Sequence, residues 1–192
     1  MKTTLLTLAF VAFLFSTDSK TDSIYETQQF TKKGKLEITV SYEKQSGTGS
    51  NQYAIWIENA QGQIVKTIFV TKFTAQGGYS YRPDCTPMWV NKAKPAEMSK
   101  QRIDAFSGAT PQSGNHTYVW DMTDDMGNQV AAGEYTFYVE ATLLAASKVT
   151  FKGAVVTGDS KVSVEPKPEF SSNDSKNKGM IKSVKATYLP AV

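Results

Sequence analysis

KLEITVSYE, residues 35–43, puts Leu36, Ile38, Val40 and Tyr42 on alternate positions with polar residues between them. That two-residue period belongs to a strand with one buried face. The pattern returns down the chain. QYAIWIENAQGQIVKTIFV predicts a hairpin, with Tyr53, Ile55 and Ile57 on one arm and Ile64 to Val70 on the other. Asn59-Ala60-Gln61-Gly62 supplies its turn, and Gly62 takes the positive φ. HTYVWD, EYTFYVEA, KVTFKGAVV, KVSVE and MIKSVKATYL add further strands, with turn signals at the intervals of a sandwich. This pattern predicts an all-β fold: an antiparallel immunoglobulin-like β-sandwich with one short inserted helix. PAEMSKQRIDA is that helix, with Pro95 in its first turn and Gly108 placed to stop it. Thr74 to Lys94 breaks the pattern and is expected as a long ordered loop, and PKPEFSSNDSKNKG as a polar connector.

The 192 residues suffice for one domain with a proper core. Residues 1–19 read as a signal peptide: a basic start at Lys2, an apolar run from Leu5 to Phe15, then small polar residues. That run is too short for a permanent membrane anchor. Residues 20–33 read as a flexible lead-in and 34–192 as a single β-sandwich domain. The expected location is the periplasm, or another extracytoplasmic space of a bacterium, with no stable membrane insertion. Cys85 has no second cysteine to pair with, so the core must hold the fold without an internal disulfide. It reads as an inert buried thiol or as a reactive, intermolecular one.

A formal charge of +3, with lysines interleaved among acids, lacks the basic stripe of a nucleic-acid binder. His116 and Cys85 fit no familiar zinc spacing, and no metal is expected. Asp121, Asp124 and Asp125 miss the alternate-position pattern of a calcium loop and read as turn residues. A hydrolase built on Ser107 and His116 lacks a nucleophile elbow and an identifiable acid.

Three segments, YAIWIENAQGQIVKTIFV, DAFSGATPQSG and YVWDMTDDMGNQVAAGEYTFYVEA, occur in that order. Together they resemble the family of predicted periplasmic proteins called domain of unknown function 2271, over Lys35 to Ala141. WDMTDDMGNQVAAGEY is also similar to the immunoglobulin-like part of the flagellar hook-capping protein, which implies a β-hairpin there.

DAFSGAT further resembles the tag that a flavin transferase modifies in exported redox proteins. The resemblance implies that Asp104 is the tag acid, that Ser107, Gly108 and Ala109 are its small core, and that Thr110 carries FMN through a phosphoester. One departure is Gln112, where many such tags have a hydroxyl residue. Tyr79, Tyr81, Trp89 and Phe106 are the candidates for stacking on the flavin ring.

Two functions stay open. The first is an exported flavoprotein-type electron carrier, with a flavin transferase and a membrane redox partner, whose cofactor does the redox work. The second is a cofactor-free binding or structural module that contacts an unknown protein partner through the 74–94 loop or a strand edge. Either is a redox carrier or binding module rather than a stand-alone enzyme.

Overall fold

Alternation along β1 (Lys35–Tyr42) is real: Leu36, Ile38, Val40 and Tyr42 are all buried, and the residues between them are not. In the computed structural model, which describes residues 34–46, 50–143, 148–171 and 179–191, β1 is central to a four-stranded sheet. Its neighbours are β5 (Gly114–Trp120) and β10 (Ile181–Leu189), with β8 (Val162–Val164) beyond β10. The expected signal peptide, 1–19, and lead-in, 20–33, lie outside the described residues.

A second sheet has six strands, ordered β4-β3-β2-β6-β7-β9. These are β2 (Gln52–Asn59), β3 (Ile64–Thr71), β4 (Ser107–Gly108), β6 (Glu134–Thr142), β7 (Lys148–Val156) and β9 (Pro168–Phe170). Neighbouring strands run antiparallel except β3 and β4, which are parallel. The β2–β3 hairpin turns where the sequence places it, with Gly62 at φ 73°. The two sheets share one core. Leu36, Ile38, Trp120, Val184 and Ala186 come from one, and Tyr53, Ile55, Ile57, Phe137, Val139 and Phe151 from the other.

The centre of the larger sheet, β2 and β6, is buried on both faces, which the sequence reading did not anticipate. Seven of the eight residues of β2 are buried. Tyr53, Ile55 and Ile57 face the inter-sheet core, whereas Ala54 and Trp56 face a helical layer. That layer comprises α1 (Lys72–Ala75), a 3-10 turn at Gly78–Ser80, α2 (Pro87–Ala93), a second 3-10 turn at Pro95–Glu97, and α3 (Lys100–Phe106). Its first part replaces the loop expected over Thr74 to Lys94, and its last part, α3, overlaps the helix expected from PAEMSKQRIDA. The chain is therefore mostly β with a few short helices, three of them α, where one was expected. Each α-helix is at most seven residues long and too short to persist alone, so tertiary packing holds them. Trp89 is fully buried beneath the layer beside Ile103 and Phe106, and Trp56 stacks on Tyr138 at 4.9 Å and 4°.

Two buried carboxylates of the sheet are paired on the side of this layer. Glu140, fully buried on β6, accepts hydrogen bonds from the backbone N–H groups of Met88 and Trp89, both at 3.0 Å. Its carboxylate thus satisfies two donors at the start of α2 that the helix itself cannot. Glu58 accepts from Trp56 Nε1 at 2.7 Å and from Lys92 Nζ at 2.6 Å. Glu140→Gln keeps the shape but turns an N–H₂ toward one of those donors. A loss of about 1–3 kcal/mol, the cost of a buried group left unpaired, is expected in a urea denaturation series.

Candidate functional site

The segment carrying DAFSGAT starts on α3, which Ser99 caps by accepting from Arg102 N at 3.2 Å. Its buried face, Ile103 and Phe106, anchors the helix to the sheet and leaves Asp104 exposed. The helix stops at Phe106. Ser107 is already extended at φ −85°, ψ 137°, and Ser107–Gly108 form β4 against Val70 and Thr71 of β3. Gly108 is therefore an edge-strand residue, not a helix stop. A side chain there would meet Phe69: a Cβ would lie 2.5 Å from Phe69 Cε2, so close packing requires the glycine.

Ala109 follows, exposed, and then Thr110, half-buried. Thr110 Oγ1 donates to the carbonyl of Asn51 over 3.4 Å, a long and weak bond. The adjacent Gln52 side chain accepts from Thr71 Oγ1 at 2.5 Å and from Thr74 Oγ1 at 3.0 Å. Asn51–Gln52 thus ties the Thr110 hydroxyl and the start of α1 to one point. Asp104 lines a groove of about 400 Å³ with Ala75, Gln76, Tyr79, Met98 and Ile103.

Of the four aromatic residues expected to stack on a flavin, two are placed elsewhere. Trp89 is 0 % exposed and Phe106 7 %. They meet edge-to-face at 5.7 Å beneath the helical layer, where hydrophobic burial fixes both. Tyr81 is fully at the surface, and only Tyr79 shares a groove with the tag acid. Cys85 is buried, and burial pushes its thiol up, which disfavours the reactive thiolate.

On its other side, Gly108 borders an aromatic cluster that the sequence reading missed. Phe69 lies 5.0 Å from both Tyr53 and Tyr118, and Tyr42 lies 5.5 Å from Tyr53. The hydroxyls of Tyr53 and Tyr118 are hydrogen-bonded to each other. Tyr42 OH is buried with no hydrogen-bond partner among the described residues. Burial, and then the nearby Tyr118, pushes the Tyr42 phenol from 10.0 up to about 12. The unfolded chain releases this proton near 10.0 and the folded chain holds it to about 12. Stability from Tyr42 is therefore complete below the lower value and lost as pH rises through that window. Denaturation midpoints should fall between those values, and Tyr42→Phe should reduce the fall.

Of the acids of YVWDMTDDMG, Asp121 and Asp124 are held by their own turn and Asp125 by β3 and α3. Asp121 accepts from Thr123 N and Oγ1, and Asp124 from Met126 N, Asn128 N and Asn128 Nδ2. Asp125 accepts from Thr67 N at 3.1 Å and Arg102 at 2.6 Å. His116 Nε2 lies 2.7 Å from the carbonyl of Gln112.

The family model of predicted periplasmic proteins, DUF2271, matches residues 34–171. The chain belongs to that family. No curated protein and no solved structure matches it. The match runs from the start of β1 past β9, so the DUF2271 region takes in the helical layer and the SGAT edge together. The family description also agrees with the periplasmic location expected from the sequence. Among the described residues, no helix is long and apolar enough to cross a membrane.

Proposed function

We propose that this DUF2271 protein is an exported electron carrier whose FMN is joined through a phosphoester to Thr110 Oγ1. The observation that carries the reading is the presentation of SGAT. Ser107–Gly108 form an edge strand, Ala109 is exposed, and among the described residues the Thr110 hydroxyl is held by one 3.4 Å bond. A modifying enzyme needs a thin, reachable backbone and a hydroxyl that little else holds, and this edge offers both. Asp104, exposed on α3, is available to the same enzyme. The FMN, once attached, supplies the redox chemistry, and the protein retains and positions it. The antiparallel pairing within both sheets, β3–β4 apart, supports an immunoglobulin-like sandwich as the frame.

A cofactor-free binding module remains the second reading, favoured by one observation. Gly108 already has a packing reason in Phe69, independent of any tag. Intact mass separates the two after co-export with a flavin transferase shown to be active on a control substrate. The wild-type chain is expected to gain FMN less one water, and Thr110→Ala to gain nothing. An unmodified wild type would favour the module.

A further inference from the structure

The groove beside α3 has the size and lining of a site for a flat ring. Its volume, about 400 Å³, falls within the range of small-molecule pockets. Ala75, Pro95, Met98 and Ile103 give it apolar surface, and Tyr79 gives it an aromatic one. Lys100 and Asp104 stand four residues apart on α3 and bring opposite charges to the lining. Lys100 only donates hydrogen bonds, and Asp104, ionised, only accepts. A flavin ring presents a matching polar edge, an imide N–H between two carbonyls.

The groove also lies close to Thr110. Gly108 pairs with Thr71, the residue just before α1. From Thr71, one helical turn leads to Ala75 in the groove wall, a rise of about 6 Å. From Gly108, two residues lead to Thr110, a reach of at most about 7 Å. Both paths leave adjacent strands at the same level, and Asn51–Gln52 binds the two together through Thr110, Thr71 and Thr74. The phosphate and ribityl arm of the FMN would be the link from Thr110 to this groove.

We propose that this groove, lined by Tyr79, Met98, Ile103 and Asp104, seats the flavin ring of the FMN borne by Thr110. The inference rests on the reading of Thr110 as the attachment point, and it goes further by assigning the ring a place. The seated ring stacks on Tyr79, and its imide edge faces Asp104 and Lys100. Tethering raises the local flavin concentration to the millimolar range, so a weak groove suffices.

The test uses the loaded protein, with loading established by mass, and reads flavin fluorescence. The bound ring is expected to be quenched relative to free FMN. Tyr79→Leu and Met98→Glu should each restore fluorescence several-fold while leaving the mass gain and the thermal midpoint near wild type. A loaded protein that fluoresces like free FMN overturns the groove and leaves the attachment standing. So does quenching that neither variant relieves.

If the wild type does not load, the attachment fails, and the groove is judged by titrating unmodified protein with free FMN. Shifts of the Met98 methyl and Tyr79 ring resonances would sustain a flavin site. Tyr79→Ala should then weaken binding by about five- to tenfold, the worth of one aromatic contact. Unmoved resonances would overturn the site.

Discussion

Trp89→Ala should destabilise the protein by about 3–5 kcal/mol, the cost of truncating a large aromatic residue in a packed core. Two side-chain features set that scale, and a backbone bond that alanine keeps holds the residue in place. The ring is 0 % exposed and packs edge-to-face on Phe106. Its Nε1 donates to Thr67 Oγ1 at 3.2 Å. Its own backbone N–H donates to Glu140 at 3.0 Å, so the residue ties α2 to both β3 and β6. Truncation opens a cavity between sheet and helices and removes the indole donor from Thr67. Against a typical total of about 5–15 kcal/mol, this is a large share. Tyr81→Ala, at 86 % exposure, is the control and should stay within about 0.5 kcal/mol. Urea denaturation followed by tryptophan fluorescence reads both. A Trp89→Ala loss below about 1 kcal/mol would mean that the helical layer is not packed on the sheet as described.

The same residue marks where sequence reasoning stopped. Strands with one buried face, such as β1, announce themselves by alternation, and their positions were legible. So was the Gly62 turn, because it needs a positive φ that glycine adopts freely. Apart from the helix expected from PAEMSKQRIDA, the helical layer was not, because its helices are short and set among Gly and Pro, and each draws its stability from the sheet below. A signal for it did exist. In YAIWIEN both parities are apolar, Tyr53, Ile55 and Ile57 on one and Ala54 and Trp56 on the other, and that marks a strand covered on both faces. Read that way, β2 requires something to cover Trp56, and the aromatic stretch from 74 to 94 is the available cover. Trp89 and Phe106 then belong to the core rather than to a ligand.

The short strand β4 was illegible for another reason. Two residues carry no period, and their pairing with Val70 and Thr71 depends on where α3 ends. For the candidate site, the sequence marked the segment but could not place it. That Thr110 and α1 meet at Asn51–Gln52 is a long-range fact. So is the contact of Gly108 with Phe69, which gives the glycine a reason that no local reading supplies.

That contact allows the two possible roles of Gly108 to be separated. Gly108→Ala places a methyl group 2.5 Å from Phe69 Cε2. The ring cannot simply swing aside, because Tyr53 and Tyr118 each pack against it at 5.0 Å. A destabilisation of about 1–3 kcal/mol is expected, the range for overpacking. Phe69→Leu shortens the obstructing side chain, so the double variant should recover part of the loss as a favourable coupling of about 0.5–3 kcal/mol. Flavin loading should respond differently. If the transferase needs a bare backbone at this position, Gly108→Ala abolishes the mass gain. The Gly108→Ala, Phe69→Leu double variant then regains stability yet stays unmodified, whereas Phe69→Leu alone still loads. Recovery of stability and mass gain together would end the role of Gly108 at Phe69. The tag would then rest on Ser107, Ala109 and Thr110.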